Sequence, residues 1–182
     1  MIDITKEKLL THILYEMQMC LWSFYKKDHC VNIFEFNSIW ITHKVCLRNL
    51  LCFFSMCNSA GKDEIIYNNF SFAEKTADER YVRRKSCAKY EQKLSVSIMH
   101  ITKDRMDKSK NIDENIRKFE SEVFPTMKSY ISNFIYKLEN ENNIIYQDRN
   151  DNNFKVNISN ELKNNSIIGM INVVKLLLEN KV

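Results

Sequence analysis

Between Leu9 and Tyr25 the apolar residues Leu9, Leu10, Ile13, Leu14, Met17, Leu21, Phe24 and Tyr25 recur every three or four positions. That spacing puts side chains on one face of an α-helix. It predicts a first helix over residues 5–27, which Asp3 or Thr5 can cap. A second helix is predicted over 35–57, with Ile39, Trp40, His43, Leu47, Leu50, Leu51 and Phe54 on its inner face. It is apolar around most of its circumference, as the central helix of a bundle would be. A third helix is predicted over 77–108, opened by the capping box Thr76-Ala77-Asp78-Glu79 and carrying Tyr90, Leu94, Ile98, Ile101 and Arg105 along one stripe. A fourth, over 112–140, repeats Ile116, Phe119, Val123, Met127, Tyr130, Phe134 and Leu138, with Pro125 expected to kink or restart it. Ile167, Ile168, Ile171, Val174, Leu177 and Leu178 predict a last helix over 166–180.

Between these runs the pattern weakens. Residues 58–75 read as a connecting loop with a short extended piece, and 140–165 as a polar, asparagine-rich stretch anchored by Ile144-Ile145-Tyr146 and Phe154-Lys155-Val156. Only two glycines and one proline occur in 182 residues, too few for the many turns of a sandwich, barrel or α/β fold. The expectation is an all-α protein: an up-and-down bundle of four main helices plus a C-terminal helix. Residues 1–140 form the bundle domain in this reading, and 141–182 an Asn-rich linker with the C-terminal helix.

A net charge of +4 permits contact with nucleic acid without demanding it. The first seven residues, Met1 to Glu7, lack a basic segment followed by an apolar run. No apolar stretch approaches the ~20 residues of a membrane span. A cytoplasmic protein without membrane contact is expected. Its six cysteines (Cys20, Cys30, Cys46, Cys52, Cys57 and Cys87) would then be reduced. No Cys or His spacing matches a metal site and no glycine-rich phosphate loop is present, so neither metal nor cofactor is expected.

Three polar groups stand inside apolar helical stretches. Arg48 flanks the buried stripe of the second helix, placed either to pair with a carboxylate or to hold a phosphate. His100 precedes Asp104 by four residues, so a carboxylate could orient its imidazole for acid–base work or simply pair with it at the surface. Arg105 shares the stripe of Ile98 and Ile101. His43 reads as a core histidine with its hydrogen bonds satisfied. The basic run Arg80, Arg83, Arg84, Lys85, Lys89 and Lys93, with Tyr81 and Tyr90 between, fits either a solvated face or a single-strand nucleic-acid surface.

The helix Leu47-Arg48-Asn49-Leu50-Leu51-Cys52-Phe53-Phe54, followed by Ile98-Met99-His100-Ile101-Thr102-Lys103-Asp104-Arg105, resembles an uncharacterised family of bacterial helical proteins. That family pairs an Arg-Asn-Leu…Phe-Phe helix with a His-Leu-Thr-x-x-Arg helix. Asp63-Glu64…Asn69-Phe70 sit where it carries an acidic turn and an aromatic, and the likeness covers residues 36–140. More distantly the chain is similar to HEPN four-helix bundles of defence and toxin–antitoxin systems. The active members of that superfamily are metal-independent ribonucleases with an Arg and, four to six residues further, a His on one helix, usually used across a dimer. Here Phe53, Phe54 and Ser55 occupy the histidine's place after Arg48.

The resemblance therefore implies a non-catalytic HEPN-like module that binds RNA or a protein partner, with a homodimer as its expected assembly. The alternative is a ribonuclease in which His100 is the general base and Arg48 and Arg105 stabilise the phosphorane. A structural or assembly protein, docking through the C-terminal helix, is the third reading.

Overall fold

The structure, a computed structural model, describes residues 8–55, 67–73, 109–147 and 155–180, with the backbone alone described at 55, 68 and 109–120. It is all-α, a helical bundle with one small two-stranded sheet. The helices are α1 (Leu9–Lys26), α2 (Ile33–Ser55), α3 (Ser109–Asn140), α4 (Ile158–Glu161) and α5 (Asn165–Leu178); the strands are β1 (Ile145–Gln147) and β2 (Lys155–Asn157). The third helix expected over 77–108 lies outside the described residues, as do its capping box and the proposed caps Asp3 and Thr5.

The periodic residues face where the pattern predicts. Leu9, Leu10, Ile13, Leu14, Met17 and Leu21 of α1 are buried against Leu47, Leu50, Leu51 and Phe54 of α2 in one hydrophobic cluster. Helix α1 starts at Leu9, and its flanking residue Lys8 makes no side-chain cap. A distant carboxylate helps instead: Glu161 Oε2 accepts from the Leu10 backbone N–H at 3.4 Å, where the positive end of the helix dipole favours an anion.

Helix α3 continues through Pro125 and does not restart there. Pro125 and Ser121, one turn earlier, both face solvent, whereas Val123, Phe124 and Met127 are buried. The interruption thus falls on the side of the helix that does no packing.

The asparagine-rich stretch folds more than its composition suggests. Its two apolar anchors pair as antiparallel strands, Tyr146 opposite Val156, with Ile144, Tyr146, Val156 and Ile158 buried. Asn157 caps α4 by accepting from Ser159 N–H at 3.0 Å, and Asn164 caps α5 by accepting from Ser166 N–H at 2.9 Å. Asn143 takes a left-handed φ of 57°, a conformation asparagine tolerates better than most residues. Helix α5 then buries Ile167, Ile171, Val174 and Leu177 in the same cluster as α1. Gln18 Nε2 donates to the Met170 carbonyl at 2.9 Å across that contact.

Residues 67–73 close the far end of the core. Phe70 bridges Tyr146 beside the sheet, and Ser71 N–H donates to the Ile145 carbonyl at 2.7 Å. Of the connecting loop expected over 58–75, the described residues form a 3₁₀ turn at Tyr67–Asn69 and a single bridging residue, Phe70, in place of an extended piece.

Candidate nucleic-acid interface

The opposite end of the bundle is where α1 turns into α2. Lys27–His29 form a single 3₁₀ turn, and α2 then begins under a reciprocal cap. Asn32 Oδ1 accepts from the backbone N–H groups of Phe34 (3.0 Å) and Glu35 (2.9 Å), while Glu35 Oε2 accepts from Val31 N–H at 2.8 Å. This capping arrangement fixes the entry angle of α2. It also starts the helix two residues before the position the apolar period gives, and Asn32-x-x-Glu35 is the sequence signal for it.

The tight turn gathers lysines and aromatic rings. The Lys27 ammonium lies 4.1 Å from the Phe24 ring centroid and 5.1 Å from that of Trp40. On the same indole, the Lys44 ammonium lies at 4.8 Å. Phe36 stacks on Trp40 with centroids 5.4 Å apart, and Phe24 stacks on Phe124 of α3. Lys128, also on α3, lies 5.6 Å from the Tyr25 ring and donates to its hydroxyl at 2.9 Å. Lys26 pairs with Glu35 at 3.8 Å. Ring faces attract ammonium groups electrostatically, so Lys27, Lys44 and Lys128 are held in defined positions.

His43 reports the resulting field. It is fully buried, and its Nδ1 lies 3.0 Å from the Cys20 carbonyl and 3.3 Å from Ser23 Oγ. Ser23 Oγ is itself within bonding distance of the Met19 carbonyl. A carbonyl accepts only, so Nδ1 carries the hydrogen in the neutral ring. Burial chiefly, and then the Lys27 and Lys44 charges, hold the imidazole down to about 3, against the opposing pull of the Cys20 carbonyl. His43 is therefore the core histidine that its apolar surroundings suggest, uncharged at neutral pH and away from any solvent proton traffic.

Trp22, Phe24, Tyr25, Lys26, Asp28 and His29 line an open groove of about 390 Å³ that Leu177 and Asn180 also border. Such a groove has aromatic rings on which a planar base can stack, with one lysine, Lys26, and one carboxylate, Asp28, in its lining.

Of the candidates read from the sequence, Arg48 sits half-buried on α2. Next to it, Asn49 Nδ2 donates to Glu16 Oε1 of α1 at 3.3 Å. Phe53 and Phe54, two of the positions where a ribonuclease histidine would follow Arg48, are buried at 6% and 1% exposure in the aromatic core. His100, Arg105, Arg80, Arg83, Arg84, Lys85, Lys89 and Lys93 lie outside the described residues.

Among the described residues no three His, Cys, Asp or Glu side chains converge as metal ligands, and Cys20, Cys30, Cys46 and Cys52 are free thiols. Burial, with the Glu16 carboxylate adding to it, pushes Cys46 up to about 12, which leaves that thiol protonated and unreactive. No helix among the described residues is long and apolar enough to cross a membrane. The lysine–aromatic corner went unread in the sequence because its parts come from three helices. Its local signals are Phe24 followed three residues later by Lys27 and Trp40 followed four residues later by Lys44. Compared with protein-family models, curated proteins and solved structures, the chain matches none.

Proposed function

We propose that the chain is a HEPN-like helical module without catalytic activity that binds single-stranded RNA at the corner between α1, α2 and α3. The observation that carries this reading is the pair of ammonium groups, Lys27 and Lys44, held at 5.1 and 4.8 Å from one indole. Two cations fixed around a common ring create a positive potential that a phosphate group relieves. Lys128 adds a further ammonium on α3, and the groove beside Trp22 and Tyr25 offers stacking to an adjacent base.

The absence of chemistry in this reading rests on α2. Its positions after Arg48 hold phenylalanines committed to packing, and its own histidine, His43, is neutral and buried. A general base must reach the proton it removes, and His43 has no such access.

Labelled single-stranded RNA, titrated in EDTA and followed by fluorescence anisotropy, tests the proposal. Binding without cleavage is expected, weakening as salt rises because phosphate contacts release counterions. Lys27→Glu and Lys128→Glu should each weaken it several-fold. No binding at low salt, or unchanged binding in both variants, overturns the reading and moves weight to a protein partner. Cleavage that survives EDTA and disappears in His100→Ala, Arg48→Ala and Arg105→Ala restores the ribonuclease alternative.

A further inference from the structure

The groove holds one carboxylate, and a site that bound only phosphate would gain nothing from it. Asp28 stands in the tight turn Lys27–His29, exposed and in the groove lining. Its charge opposes the attraction that Lys26 and Lys27, its neighbours in the chain, exert on a phosphate. Among the described residues its carboxylate makes neither an ion pair nor a hydrogen bond, since Lys26 pairs with Glu35. Two acceptor oxygens are therefore free to meet a ligand.

Two further groups of the lining are uncommitted. The Phe24 ring is already covered, by Phe124 stacked on it and by the Lys27 ammonium. Trp22 is 37% exposed and has no ring or cation contact among the described residues, so its indole is the open platform. Asn180 follows α5 with a left-handed φ of 57°, and its backbone N–H donates to the Leu177 carbonyl at 3.1 Å. That closing turn, in a conformation asparagine tolerates, sets residue 180 in the lining. Its side-chain carboxamide has no partner among the described residues. One ring, one pair of acceptors and one amide thus border the same space.

We propose that this groove selects guanine: the base stacks on Trp22, Asp28 accepts from its N1–H and N2–H groups, and the Asn180 carboxamide donates to O6. The inference rests on the reading of this corner as a single-strand RNA site and names the base it prefers. In a single strand the Watson–Crick edge of each base is open to side chains. A carboxylate only accepts, so its two oxygens are satisfied together only by two donors side by side. Guanine presents that pair, with O6 as an acceptor next to it. Uracil has one N–H between two carbonyls, and adenine and cytosine each set a ring-nitrogen lone pair beside their amino group. With any of these three, one carboxylate oxygen faces another acceptor and repulsion replaces a hydrogen bond. The charge that is adverse to phosphate becomes the group that reads the base.

Fluorescence anisotropy with labelled oligouridylate carrying one central guanosine, adenosine, cytidine or uridine tests it. The guanosine oligomer should bind about tenfold more tightly than the other three, as one good bidentate base contact gives. The readout is the ratio within each protein, so a general change in charge cancels. Asp28→Asn sets a donor where guanine needs an acceptor and should bring the ratio to about one, while Trp22→Ala should weaken all four oligomers several-fold. Asp28 is exposed, and unchanged far-UV circular dichroism confirms that its variant is folded. Equal binding of the four oligomers, or preference for another base, overturns the inference and leaves the RNA reading standing. A guanine preference that survives Asp28→Asn overturns it as well. Absence of binding by any oligomer at low salt overturns both.

Discussion

At the C-terminal end of α2, Phe53 and Phe54 pack with Tyr67, Phe70 and Phe72 around Phe134 of α3. At its N-terminal end, Trp40, stacked on Phe36, and Phe24 of α1 carry ammonium groups on their rings. The residue types are alike, and what differs is the company they keep. Phe134 has ring centroids of Phe53, Phe70 and Phe72 at 5.5, 5.4 and 5.7 Å, mostly edge to face, the arrangement aromatic quadrupoles favour. Those rings satisfy one another and leave nothing for a ligand. Around Trp40 the ring faces are given to cations, the buried Lys44 and the half-buried Lys27. One end of α2 packs ring against ring, and the other packs rings against lysines.

Removing a ring from each end should expose that division. Phe134→Ala deletes the hub of the packed cluster and should cost about 3–5 kcal/mol, the range for burying a cavity of this kind in a core. Urea denaturation would read it as a lower midpoint at an unchanged slope. If the loss were under about 1 kcal/mol, the far end would have collapsed around the gap and would not be the rigid cluster its geometry indicates.

The second largest effect is a pH dependence carried by His43 at the N-terminal end of α2. Burial and the two lysines hold His43 down to about 3 in the folded chain, against 6.5 when it is exposed. The unfolded state thus binds a proton that the folded state refuses throughout that window. Stability is complete above pH 6.5 and falls as the pH drops, at about 1.4 kcal/mol per unit, or about 2 kcal/mol by pH 5. His43→Gln, compared by its slope between pH 7 and 5 and not by its absolute stability, should flatten the curve. A slope equal to the wild type's would place the titration elsewhere.

A smaller change tests the coupling between the lysines and the imidazole. Lys27 is the stronger of the two charges acting on His43. Lys27→Met keeps an aliphatic stem against Phe24 and Trp40 while removing the ammonium. The imidazole should then titrate at a higher pH, measurable from its ring nitrogen shifts by NMR, and the acid loss of stability should lessen. An unmoved His43 would mean that burial alone sets its state and that the corner lacks the positive field assigned to it.

Much of this organisation is written in the apolar period. Leu9 to Tyr25, Ile39 to Phe54, Val123 to Leu138 and Ile167 to Leu178 each repeat often enough to declare a helix and its inner face, and α1, α2, α3 and α5 bury most of those residues, with Ile168 exposed. The strands are too short to declare themselves: β1 and β2 have three residues each, so alternation has no room to emerge from the polar background. The asparagines around them look like linker composition, yet Asn157 and Asn164 are helix caps. Sequence periodicity reports which face of an element is buried, but not which elements meet. The lysine corner depends on that second fact. Lys27 from the turn, Lys44 from α2 and Lys128 from α3 are unremarkable lysines until the fold brings their rings together.

The smallest expected effect comes from a lysine outside both regions. Lys175 of α5 pairs with Glu139 of α3 at 2.9 Å, with side chains 45% and 38% exposed. Its geometry is better than that of any cation–ring contact in the corner, yet water screens it and two flexible side chains must be ordered to form it. Lys175→Ala should therefore change stability by only about 0–1 kcal/mol, and salt at about 0.5 M should erase the difference. Lys27 occupies the opposite situation, with ring faces in place of a carboxylate and less access to solvent, so the effect of Lys27→Met on His43 should persist at the same salt concentration. Should both effects vanish together, the corner would be an ordinary solvated surface, and the contrast between the two ends of α2 would reduce to packing alone.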